Sequence, residues 1–229
     1  MDKLIDKLSL YDFFGYIIPG FLGTWALNVF FVETLQVNFI FKLDVGFINS
    51  VLFVAISYYI GVLLHELSEL LQEHFFKRIW KGLPSERFLV DSDNKYSTEF
   101  KASLKKMIES KFGLIVGNDN KKSQEAFNLI YSGLQGAGKD EKAQLFNSLY
   151  GMYRNFFAGT VMCLLVFLIK GFVLVCRENW QSLFESFLYA FLFLLATLTL
   201  MRRLRRFGER LADYVIRDYY NYYLEHKSE

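Results

Sequence analysis

Four stretches of 18 to 21 residues run almost without charge, and that pattern constrains the fold more than any other. They cover residues 13–32 (FFGYIIPGFLGTWALNVFFV), 47–64 (FINSVLFVAISYYIGVLL), 156–176 (FFAGTVMCLLVFLIKGFVLVC) and 183–201 (LFESFLYAFLFLLATLTLM). The first two carry no charged residue; Lys170 and Glu185 are the single exceptions in the third and fourth. A helix rises about 1.5 Å per residue, so about 20 apolar residues cross a hydrocarbon core of about 30 Å. Composition agrees: the chain is 53% hydrophobic, with 25 Phe, 14 Tyr and only two Pro. A polytopic helical membrane protein is therefore expected.

The distribution of lysine and arginine sets the expected orientation. The first tail holds two, the segment 66–155 holds fourteen, and the tail after Met201 holds seven. Only Lys42, Lys170 and Arg177 belong to the two short connections, a division of 23 against 3. Basic residues flanking spans stay on the cytoplasmic side, which places both termini and the central segment inside. Asp2 and Asp6 among the opening lysines, with no small-residue cleavage site after the apolar run, argue against a cleaved signal peptide. Cys163 and Cys176 are too far apart along one helix to pair with each other, and read as packing residues.

The resulting plan is all-α. Residues 1–64 form a tail and a first hairpin, 65–155 a helical cytoplasmic domain, 156–201 a second hairpin and 202–229 a basic, tyrosine-rich cytoplasmic helix. Pro19, with Gly20 beside it and Gly15 and Gly23 near by, is the expected kink or close-approach point of the first span. Proline has no amide hydrogen and so orphans a carbonyl one turn earlier, and in lipid that group needs another partner. Lys170 and Glu185 lie near the outer interface, where they either pair or snorkel. Asn28 and Asn49 lie similarly near outer ends. No span centre holds a charge, which argues against a proton relay or a midplane ion site.

In the central segment, apolar residues at helical spacing carry the second span onward through Leu67, Leu70, Leu71 and Phe75 until Gly82-Leu83-Pro84. Residues 87–90 read as extended or a short strand, and Asp91-Ser92-Asp93-Asn94 as a turn. Ser97 or Thr98 caps a helix to about Lys111; a second covers about 121–134; a third starts near Asp140 and runs into the third span. After Met201, Leu204, Phe207, Leu211, Tyr214, Val215, Tyr219 and Tyr222 recur at helical spacing, so the fourth span should continue to about Glu225.

Few residues here carry recognisable chemistry. His65-Glu66-Leu67-Ser68-Glu69 begins like a zinc-protease helix, yet that motif needs a second histidine where Glu69 stands. His74 falls on a different side and His226 is remote, so no metal or other cofactor is expected. Glu66, Glu69 and Glu73 read instead as an acidic stripe on the helix extension, facing solvent or the basic cluster of Arg202, Arg203, Arg205 and Arg206 at the membrane exit. GLQGAGKD at 133–140 matches the start of a phosphate loop but ends in Asp where magnesium binding needs Ser or Thr, and it follows a helical pattern rather than a strand. Lys101, Lys105, Lys106, Lys121 and Lys122, with Lys139, form a basic surface suited to lipid headgroups, a nucleotide or an oligonucleotide; a solvated face is the plainer reading. No nucleophile–base pair stands out, and an enzyme is not expected.

The opening LSLYDFFGYIIPGFL resembles the start of many small bacterial membrane proteins. LYGMYRNFFAG and RRLRRFGERLADYVIRDYY resemble their later half. This design is similar to the small multi-span effectors of bacterial anti-phage defence. The resemblance covers the membrane hairpins and implies a homo-oligomer in the bacterial inner membrane that opens a pore or disrupts the bilayer when its cytoplasmic part senses a cue. The alternative is a non-conducting scaffold that anchors a cytoplasmic protein partner.

Overall fold

The structure is a computed structural model that describes residues 13–37 and 47–226. Asp2, Asp6 and Lys42 lie outside the described residues, as do the side chains of Asn49 and His226. Every regular element among the described residues is helical. Helix α1 (Ile18–Val29) is flanked by π-helical turns, Phe13–Ile17 and Phe30–Thr34. Helix α2 (Phe47–Leu71) passes through a π-helical turn (Gln72–Phe76) into the short α3 (Lys77–Ile79). Then follow α4 (Pro84–Arg87), α5 (Thr98–Phe112), α6 (Asn120–Gly136), α7 (Glu141–Cys176) and α8 (Trp180–His226).

Among the described residues, four helical stretches are long and apolar enough to cross a membrane: Phe14–Thr34, Ser50–Ile79, Glu141–Cys176 and Trp180–Glu225. The last two are single helices of 36 and 47 residues. At 1.5 Å per residue they reach about 54 and about 70 Å, well beyond the roughly 30 Å of a hydrocarbon core. The expected continuation of the third and fourth spans into long helices is therefore present.

Local chemistry explains where the shorter helices start and stop. Ser97 caps α5, its hydroxyl accepting from Phe100 N at 3.2 Å, and Gly113 ends it at φ +65°, where a side chain would be strained. Asp119 caps α6 through Lys121 N at 3.0 Å. At the other end Gly138, also at φ +65°, lets Lys139 N reach Leu134 O at 3.0 Å and close the orphan carbonyls. The GLQGAGKD segment is thus a helix end followed by the next helix start. Residues 87–90 are not extended as expected. Pro84 presets the first helical position, Glu86 returns its carboxylate to Leu83 N at 2.9 Å, and Val90 N closes a turn on Arg87 O.

The chain divides into two compact units, one of residues 1–71 and 151–204 and one of residues 72–150 and 205–229. In the first unit α1 and α2 meet backbone to backbone. A Cβ on Gly20 would strike the Ser57 carbonyl, and one on Gly61 the Tyr16 carbonyl, so only glycine fits either position. Trp25, Phe167, Tyr189 and Phe193 stack around Ala26, Cys163 and Ala190, with ring centroids 5.0–6.4 Å apart. Large apolar residues remain exposed on its outer face, Phe184 at 72% and Phe172 at 71% among them.

The second unit has its own apolar core. Leu104 and Ile108 of α5, Ile130 and Leu134 of α6, and Val215, Ile216 and Tyr219 of α8 are all essentially inaccessible. Burying each aliphatic side chain contributes about 1.5–3 kcal/mol. Tail tyrosines join it: Tyr214 stacks on Phe146 at 4.7 Å and Tyr219 on Phe112 at 6.3 Å.

Candidate functional site

The carbonyl orphaned by Pro19 is that of Gly15, four residues earlier. Asn155 of α7, only 3% exposed, supplies the missing donor: its Nδ2 gives a hydrogen bond to Gly15 O at 2.9 Å. A carbonyl only accepts, so the amide orientation is forced, and Asn155 Oδ1 faces α2. There His65 Nδ1 lies 3.1 Å away and must carry a hydrogen to donate. Ser68 Oγ has one hydrogen and two acceptors in reach, Asn155 Oδ1 at 3.0 Å and His65 O at 2.6 Å. On the next turn Glu69 accepts from Arg154 Nη2 at 3.0 Å and lies 3.5 Å from His65 Nε2. Five polar side chains thereby clasp three chain segments of the first unit together.

This clasp answers what His65 and Glu69 do. They hold Asn155 and Arg154, and among the described residues no three His, Cys, Asp or Glu side chains gather as a metal site would require. Of the acidic stripe, Glu66 and Glu73 are exposed and Glu69 takes Arg154; in the basic cluster Arg205 pairs with Glu209 at 3.0 Å. Arg202, Arg203, Arg205 and Arg206 are all exposed, Arg203 reaching Tyr153 Oη at 3.2 Å. Lys170 is buried and its partner is Glu33 of the π-helical turn after α1, at 2.5 Å, rather than Glu185. Arg177 donates to the Thr34 carbonyl beside it.

A separate site lies within the second unit. A cleft of about 300 Å³ is lined by Trp80, Arg87, Lys95, Tyr96, Arg205 and Glu209, with Phe88, Asp93 and Ala212 completing the wall. Its shape depends on the turn at Gly82, where φ is +110° and a Cβ would press on the Arg87 stem at 3.1 Å. Arg87 is fixed by Trp80 O at 2.7 Å and Asp93 Oδ2 at 3.0 Å. Asp93 Oδ1 accepts from Lys95 N at 2.9 Å, and Lys95 Nζ reaches Glu209 O at 2.8 Å and Asp213 Oδ1 at 3.4 Å. Tyr96 donates to Asp213; burial first, and that carboxylate second, push its phenol far above the usual range, so it stays a donor at any physiological pH.

Lys101 is the hidden support of this cleft. Expected on the basic surface, it is instead 4% exposed, and its ammonium donates to Val90 O at 2.7 Å and to Asp93 O. Its position on the same face as Leu104 and Ile108 turns it inward, where the stem packs and the charge finds carbonyls. Lys105 is tied to Asp91 at 3.2 Å; Lys106, Lys121, Lys122 and Lys139 are exposed.

Comparison with protein-family models, with curated proteins and with solved structures returns no match for this chain.

Proposed function

We propose that the chain is a multi-pass protein of the bacterial inner membrane, with both termini and the second unit in the cytoplasm, and that it acts as a homo-oligomeric defence effector. It opens a pore or disrupts the bilayer when the second unit meets a cue. The observation that carries this reading is that α7 and α8 each belong to both units without a break, α7 crossing the boundary at 150/151 and α8 at 204/205. A helix that is part of a span at one end and of a packed polar unit at the other carries a rearrangement of that unit to the span. The positive-inside distribution of 23 against 3 basic residues supports the orientation.

The test is the membrane potential of bacterial cells that express the protein, followed with a potential-sensitive dye during phage challenge. Depolarisation that precedes lysis, absent with an empty vector, is the expected result. Cells that keep their potential throughout would remove the effector reading and leave a scaffold.

A further inference from the structure

The cleft in the second unit has the chemistry of a small-molecule site. Three cations, Arg87, Lys95 and Arg205, line a cleft of about 300 Å³ together with Trp80, Tyr96 and the carboxylates of Asp93 and Glu209. That volume sits at the small end of ligand pockets and admits one molecule of mononucleotide size. We propose that it binds a flat ring carrying a phosphate-type oxyanion, and that this molecule is the cue of the preceding section. The inference rests on reading the second unit as the sensing part.

The ion pairs now in the cleft differ in strength, and that difference says where the anion goes. Arg87 is locked by a carbonyl and by Asp93, whose other oxygen caps the Lys95 turn. Among the described residues Arg205 is held only by Glu209 one turn along α8, and both side chains are about half exposed, at 52% and 41%. Such exposed pairs contribute little, so a doubly charged oxyanion displaces the Glu209 carboxylate readily and gains Arg205 in its place, while Lys95 turns to it from its longer 3.4 Å pair with Asp213. Arg87 stays as a fixed third charge. Trp80, 6% exposed and stacked on Phe76 at 4.7 Å, braces the wall, and the half-buried Tyr96 is the aromatic side chain that meets the ring. The buried Lys101 ammonium keeps the loop bearing Asp93 in place before any ligand arrives.

The test uses the full-length protein in detergent, titrated calorimetrically with adenosine monophosphate and, in parallel, ribose 5-phosphate. Saturable binding of adenosine monophosphate is expected, at least ten-fold tighter than ribose 5-phosphate because the ring contributes. Arg205→Gln, an exposed position whose loss leaves the core intact, should weaken it at least ten-fold, and Lys95→Gln likewise, with circular dichroism unchanged. No saturable binding at millimolar concentration, equal affinity for the two probes, or full affinity in Arg205→Gln would each overturn the proposal. Binding is read without a bilayer, so a protein that binds yet never depolarises cells retains this site and loses only the effector function.

Discussion

Asn155 and Pro19 form one functional pair at the scale of single residues. Asn155 stands 140 positions from the carbonyl it satisfies, so the sequence announces the orphan at Gly15 and gives no sign of its partner. Replacing Asn155 by Leu should strand that carbonyl and the His65 donor and cost about 1–3 kcal/mol, toward the lower end in a membrane-like medium. Pro19→Ala restores an amide hydrogen to the helix. In that background the Asn155→Leu penalty should fall by at least half, measured by denaturant unfolding in micelles. An unchanged penalty would mean that the Gly15 bond is not what Asn155 supplies. Lys101 teaches the opposite lesson: its spacing to Leu104 and Ile108 marks it as inward, whereas its nearness in sequence to Lys105 and Lys106 carries no information about which face it occupies.

At the scale of elements, the ends of α5 and α6 were readable because caps and left-handed glycines are local chemistry. The short α4 was not, since a one-turn helix has no periodicity to detect and rests on Glu86 folding back to Leu83. The partner of Lys170 was equally hidden, because which helices become neighbours is a tertiary fact. The tail half of α8 has a testable weak point in Tyr219. It is fully buried, Lys111 sits 5.5 Å from its ring centre, and its hydroxyl has no hydrogen-bond partner among the described residues. Burial, with Tyr223 second, pushes its phenol from 10.0 up to about 12. A folded-state pKa above the unfolded one means that this stability is complete below pH 10 and is lost as pH rises through about 12. Tyr219→Phe keeps the ring and removes the unpaired hydroxyl. It should leave the melting temperature unchanged or raised at pH 8 and soften its fall above pH 10, as read by circular dichroism. A loss of more than about 1 kcal/mol at pH 8 would show that the hydroxyl has a partner after all.

For the whole molecule, the spans were legible because the thickness of a bilayer fixes how long an uncharged helix must be. The cleft was not, since Trp80, Lys95 and Arg205 come from distant stretches with no shared motif. The exposed Phe172 and Phe184 leave the outer face of the first unit apolar, as a chain surrounded by lipid or by its own copies requires. A pore needs several copies arranged around an axis, whereas an anchor needs only one or two. That difference is measurable without knowing the cue. The mass of the purified protein in nanodiscs should be a single discrete multiple of the 26.9 kDa chain, four copies or more, as a closed ring demands. A monomer or dimer under the same conditions would contradict the pore and leave the scaffold.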